Sequence, residues 1–100
     1  MKINVGVIFG GRSVENEISV ITAIQTMAAM NTDKYNIVPI YISKEGHWYT
    51  GEKLRNTDNY RDMKALLASV EEVYLRPVYG DNNLYRVRKP LFGTNVVTTI

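Results

Sequence analysis

Residues 3–30, INVGVIFGGRSVENEISVITAIQTMAAM, decide the fold. Ile3, Val5, Val7, Ile8 and Phe9 make a short apolar run rich in β-branched side chains, which predicts a strand covered on both faces, as in a parallel sheet. Gly10 and Gly11 end it, because adjacent glycines turn the backbone without a Cβ penalty and let another group approach closely. Ser13 carries the hydroxyl of a helix N-cap, and Glu15 and Glu17 then fall in a first turn, where the helix dipole favours negative charge. Val20, Ile21, Ile24, Met27 and Ala28 recur at helical spacing and predict one apolar stripe. The β-branched run over 18–24 also fits a strand, but the cap and the length of the segment decide for a helix.

An open α/β sheet binds its ligands beyond the carboxyl ends of its strands, which places residues 10–15 on the rim of a crevice. Glu15 is the candidate there, a carboxylate at a positively polarised helix end that can receive an ammonium group. The plainer alternative is that Glu15 and Glu17 are ordinary helix-start residues.

Downstream, Asn31, Thr32 and Asp33 stop the helix. Ile37, Val38, Ile40, Tyr41 and Ile42 predict a second strand, and a strand–helix–strand unit is parallel and right-handed. Pro39 in its middle cannot donate to a ladder and predicts an edge position or a bulge. After a turn at 43–46, His47, Trp48 and Tyr49 form a short aromatic segment. His47 is the only histidine, and with no cysteine in the chain it reads as a packing or solvent-facing residue and not as a metal ligand. Trp48 reads as a core or rim anchor.

Residues 51–59 are polar and predict a loop; 60–70 predict a second helix capped by Asp58 or Asn59, with Met63, Leu66, Leu67 and Val70 on one face. Runs 73–79 and 84–88 flank Gly80-Asp81-Asn82-Asn83 and predict a β-hairpin. Arg86 and Arg88 read as its solvated face and not as a phosphate-binding patch. Pro90 and Gly93 punctuate the chain, and residues 96–100 open a further strand. A chain that stops on the start of an apolar β segment is expected to be part of a larger protein.

Composition narrows the class. One hundred residues make one small domain or a piece of a larger chain. A net charge of +2, with scattered Lys and Arg, gives no basis for nucleic-acid binding. The absence of cysteine excludes disulfides and thiol catalysis and fits a cytoplasmic protein. No apolar stretch approaches the length of a membrane span, and the N-terminus does not read as a secretory signal. Neither a P-loop nor a G-x-G-x-x-G turn is present.

The segment VGVIFGGRSVENEISV resembles the opening of the D-alanine–D-alanine ligases, the ATP-grasp enzymes that make the peptidoglycan dipeptide. Their pattern is an apolar strand, Gly-Gly, a small or basic residue, Ser, any residue, Glu, any residue, Glu, an aliphatic residue and Ser. Here it is carried by Gly10, Gly11, Arg12, Ser13, Glu15, Glu17, Ile18 and Ser19. YNIVPIYISKEGHWY, residues 35–49, resembles the family's second strand and the turn after it. The two stretches cover roughly the first half of the chain and agree in order and spacing.

The resemblance implies an α/β fold: a Rossmann-like, open, mainly parallel sheet flanked by helices, the pre-ATP-grasp N-terminal domain, here with a β-hairpin insertion. It implies that residues 1–100 are the N-terminal substrate-binding domain of a larger cytoplasmic ligase. In the implied reaction of the D-alanine–D-alanine ligases ATP phosphorylates the carboxylate of a first D-alanine, and the amine of a second D-alanine attacks the acyl phosphate. For this chain that second substrate is open between D-alanine, D-lactate (attacking through its hydroxyl) and D-serine.

Glu15 is the implied catalytic residue, pairing with the first D-alanine's ammonium group; Gly10, Gly11 and Ser13 shape the loop, and Ile18 is an apolar wall. ATP and Mg2+ belong to central and C-terminal domains outside this chain, as do the family's His-Gly and Gly-Glu-Asp-Gly landmarks, so the fragment alone is expected to bind neither and to make no dipeptide. The implied partners are D-alanine, the rest of the ligase chain and a second copy in a homodimer, with no nucleic acid and no membrane. The competing readings are a non-catalytic Rossmann-like binding module and a dimerisation half that pairs through the first helix.

Overall fold

The structure is a computed structural model that describes residues 2–12, 14–88, 93 and 95–100. Strand β1 (Ile3–Gly10) leads to helix α1 (Asn16–Ala29) and strand β2 (Tyr35–Ile42). Then come β3 (Trp48–Thr50), two 3₁₀ turns (Glu52–Arg55 and Thr57–Arg61), α2 (Met63–Ser69), β4 (Glu71–Leu75), β5 (Asn83–Arg86) and β6 (Val96–Thr99).

The six strands form one sheet in sequence order. Only β1 and β2 pair in parallel, from Ile3 opposite Tyr35 to Gly10 opposite Ile42. Every later neighbour is antiparallel, so the sheet is mixed and not mainly parallel as expected. Chain geometry explains this. A parallel neighbour needs a crossover, which α1 provides, whereas the turn after β2 is short. The long excursion over 51–70 closes on itself, since the chain leaves at Thr50 and re-enters directly opposite at Glu71.

Pro39 lies in an interior strand, between β1 and β3. Its carbonyl faces β3 and accepts from Thr50 Oγ1 at 2.7 Å, and β3 takes up its ladder only at Ile40. The missing N–H therefore falls just past the end of that ladder, which is why an interior strand tolerates the residue.

The helix-covered face is held by Phe9, Ile37 and Tyr41 from the sheet, Val20, Ala23 and Met27 from α1, and Leu54 and Leu66 from the segment between β3 and β4. On α1 the buried stripe is thus Val20, Ala23 and Met27, with Ile24 packed beside it; Ile21 and Ala28, expected in the stripe, are exposed. Leu54, in the stretch read as loop, is completely buried at the centre of a 3₁₀ turn. The second helix is shorter than its apolar spacing predicted. Tyr60 sits in the preceding 3₁₀ turn, and the cap is Asp62, whose carboxylate accepts from Ala65 N at 3.1 Å. The strand expected to reach Tyr79 ends at Leu75, and Arg86 is tied to Glu71 at 2.8 Å and to the Val96 carbonyl.

Among the described residues the other face carries no helix, yet Val38, Ile40, Val73 and Leu84 are buried there, packed with Trp48, Leu75, Val97 and Ile100. The sheet encloses them by curling. Asn4 Nδ2 donates to the Thr99 carbonyl at 2.6 Å, which brings the end of β6 over β1.

Candidate functional site

The carboxyl end of β1 is fastened to both of its neighbours. Gly11 N donates to the Ile42 carbonyl at 2.8 Å, and Gly10 N donates to Ser19 Oγ at 3.0 Å. Both glycines have positive φ, +89° and +113°, values that side chains rarely adopt. Asn16, the first residue of α1, is 2% exposed. Its Nδ2 donates to the carbonyls of Gly11 at 2.7 Å and Ile42 at 3.2 Å, and its Oδ1 accepts from the Tyr41 hydroxyl at 2.9 Å. Burial pushes the Tyr41 phenol above its usual range, and the bond to Asn16 opposes that shift in part.

Helix α1 starts at Asn16 and not at the expected Ser13 cap; Ser13 lies outside the described residues. Glu15 stands in the N-cap position, exposed to solvent, and its side chain makes no capping hydrogen bond. Glu17 is the acid of the first turn, and Lys44 Nζ at 2.7 Å lowers its pKa.

Two cavities flank α1. One, of about 530 Å³, runs along β1 and the helix and is lined by Ile8, Gly10, Glu15, Ile18 and Ser19 among others. Three of the expected site residues, Gly10, Glu15 and Ile18, thus share one groove, while Gly11 belongs to the turn behind it. The groove mixes polar and apolar wall, with Ser19, Thr22 and Thr26 beside Ile8 and Ile18, and Glu15 is the only charged one among the described residues that line it, so it can receive a small molecule that carries an ammonium group. The second cavity, of about 520 Å³, lies across the helix between Val20, Ile21, Tyr41 and Met63, with Asn16 in its wall.

The glycine turn does not suit a nucleotide. The Gly10 and Gly11 amides are already committed inside the protein and are not available to cradle a phosphate. Among the described residues, no group of three His, Cys, Asp or Glu side chains is placed to hold a metal ion. His47 is more than half exposed and sits 3.0 Å from Glu72. No helix among the described residues is long and apolar enough to cross a membrane.

Asn16 and Ser19 hold the turn, and Asn16 escaped the sequence reading because its position tolerates any residue in the pattern. Its signal was helical phase: stepping back from Met27 and Val20 along the buried stripe lands on residue 16.

The chain is similar to known proteins in sequence and in fold. Residues 4–95 match the family described as D-ala D-ala ligase N-terminus. A D-alanine–D-alanine ligase of Bacillus pumilus is 52% identical over 104 residues, covering 95% of this chain and 29% of that protein. One from Thermosipho melanesiensis is 42% identical over 71 residues, 71% of this chain and 20% of that protein. The crystal structure of the VanG D-Ala:D-Ser ligase from Enterococcus faecalis superposes with a TM-score of 0.69 at 29% identity, covering 89% of this chain and 26% of the other. The chain thus spans between a fifth and a third of the length of these relatives.

Proposed function

This chain belongs to the D-ala D-ala ligase N-terminus family, and from that premise we propose that it is the substrate-binding N-terminal domain of an ATP-dependent D-alanine–D-alanine ligase of peptidoglycan synthesis. Its part is the first D-alanine subsite. The supporting observation is the placement of Glu15 at the N-cap of α1, on the rim of a groove shared with Gly10 and Ile18. The Glu15 carboxylate receives the ammonium group of D-alanine, and Ile18 and Ile8 offer apolar wall to its methyl side. Pairing one end of so small a substrate fixes the direction of the other, so the D-alanine carboxylate is presented outward for phosphorylation. Orientation of this kind accounts for much of the rate gain available to a two-substrate reaction.

ATP and Mg2+ supply the activation of that carboxylate in the longer enzyme, and the task of this domain is to bind and orient. The β1–α1–β2 unit is read as the opening of a Rossmann-like sheet, and β4–β5 as a hairpin inserted into it. D-alanine, the remaining ligase domains and a second copy of the chain are the proposed partners, and the cytoplasm the proposed compartment. Val14, Ile18 and Ile21 are exposed on one end of α1, as expected of a surface that other protein covers.

The test is Glu15→Gln in the full-length ligase, which keeps the shape and removes the charge. Removing one partner of a desolvated charge pair costs about 2–5 kcal/mol, so kcat/KM for D-alanine should fall by tens to thousands of times, at about 1.4 kcal/mol per tenfold. The thermal midpoint should hold. Unchanged kinetics would overturn the assignment.

A further inference from the structure

We infer that Asn16 is a positioning residue for Glu15, holding the glycine turn and the start of α1 so that the neighbouring carboxylate stays aimed into the groove. The inference rests on reading Glu15 as the ammonium partner. Both ends of the Asn16 amide are engaged: the Nδ2 group donates to Gly11 O and Ile42 O, and the carbonyl oxygen accepts from the Tyr41 hydroxyl. The bonds reach three places that must keep their relation if the groove is to keep its shape. They are the turn after β1, the end of β2, and the first helical residue.

The Ile42 carbonyl is the common anchor, because it accepts from both Gly11 N and Asn16 Nδ2. A polar side chain at a helix start ordinarily caps its own helix, accepting from an N–H of the first turn. Asn16 instead directs its amide outside the helix, to the turn after β1 and to strand β2. Gly10 and Gly11 have the widest conformational range of any residues, so a turn made of them keeps a single shape only where outside bonds impose it. Ser19 ties Gly10 from one side and Asn16 ties Gly11 from the other. Glu15 is covalently next to Asn16, and its carbonyl accepts from Ser19 N at 3.0 Å in the first turn, so a shift of the Asn16 backbone carries the start of the helix and Glu15 with it. Few side chains replace this amide: aspartate has no donor to give Gly11 and Ile42, and leucine has neither donor nor acceptor.

The experiment is a double-mutant cycle in the full-length ligase. Asn16→Asp and Tyr41→Phe are each made alone and in the Glu15→Gln background, and the KM for the first D-alanine, the KM for ATP and kcat are measured. Asn16→Asp alone should raise the D-alanine KM about tenfold or more and leave the ATP KM in place. Tyr41→Phe, which removes only the hydroxyl bond to Asn16, should raise it less. In the Glu15→Gln background both effects should shrink towards nothing, since a positioning residue has no further effect once the group it positions is disabled.

Effects that multiply with that of Glu15→Gln would overturn the inference and leave Asn16 a stability residue only. If Glu15→Gln is itself silent, the fault lies in the reading of Glu15 and not in the Asn16 contacts. Should Asn16→Asp fail to fold, the Tyr41→Phe arm decides by the same criterion.

Discussion

Gly10 lies against the ring of Tyr41 on the adjoining strand: a methyl group at Gly10 would come within 2.8 Å of Cε1 and would run into the Ile42 carbonyl as well. The Tyr41 ring has little room to retreat, because Phe9 and Tyr60 pack against it with ring centroids 5.6 Å away on each side. Gly10→Ala should therefore destabilise the protein twice over. Positive φ costs an L-residue about 1–2 kcal/mol, and overpacking adds about 1–3. Gly11→Ala meets no atom within 4 Å and should show the backbone cost alone. Urea unfolding of the two variants is the check, and equal losses would mean that the ring and carbonyl yield freely.

The buried side of α1 is defined sharply enough to be tested by a pair of truncations. Met27 is 1% exposed and Ile21 is 51% exposed. Met27→Ala should cost about 2–5 kcal/mol, as large-to-small core changes do, whereas Ile21→Ala should stay within about 0.5–1 kcal/mol. A larger loss at Ile21 in denaturant melts would show that the exposed end of α1 is covered by another part of the protein in solution.

Alkaline pH should weaken the fold. Burial holds the Tyr41 and Tyr60 phenols above their ordinary value of 10.0, and the Tyr60 hydroxyl donates to the Leu54 carbonyl at 2.7 Å. Below pH 10 both phenols are protonated in folded and unfolded chains alike, and their contribution is whole. Above it the unfolded chain gives up its protons first, so the folded state holds more protons and stability falls as pH rises. Urea midpoints taken from about pH 8 to about 11 should drop at the upper end. Tyr60→Phe should reduce that slope; a slope unchanged in the variant would assign the effect to other groups.

The parts legible in the sequence were those whose signal is local. β1, α1 and β2 each declare themselves through an apolar period within a short window. The direction of the later strands was not legible, because β3 is three residues long and its pairing is set by where the excursion over 51–70 closes. Leu54 escaped notice because one apolar residue in a polar run has no period to reveal it. The cap expected at Ser13 is at Glu15, and the role of Asn16 was not legible because its bonds reach residues distant in sequence, Tyr41 and Ile42 among them. Ile21 and Ala28 were misplaced because hydrophobicity alone does not rank neighbouring phases of a helix, and the small Ala23 lies closer to the true contact line.

The curl of the sheet also bears on the order of folding. Asn4 meets Thr99 across a separation of 95 positions, and Ile100 fills the space beside Gly6. The entropy of closing a loop grows with the logarithm of its length, and contacts between distant segments slow a chain's search for its native state. Contacts between α1 and the β1–β2 pair involve residues much closer along the chain. The helix-covered core can thus assemble as a first nucleus, while Val38 and Ile40 on the reverse side stay open until β6 swings across. Synthesis from the amino end leaves that reverse side bare until β6 has emerged, an exposed apolar surface of the kind that invites aggregation.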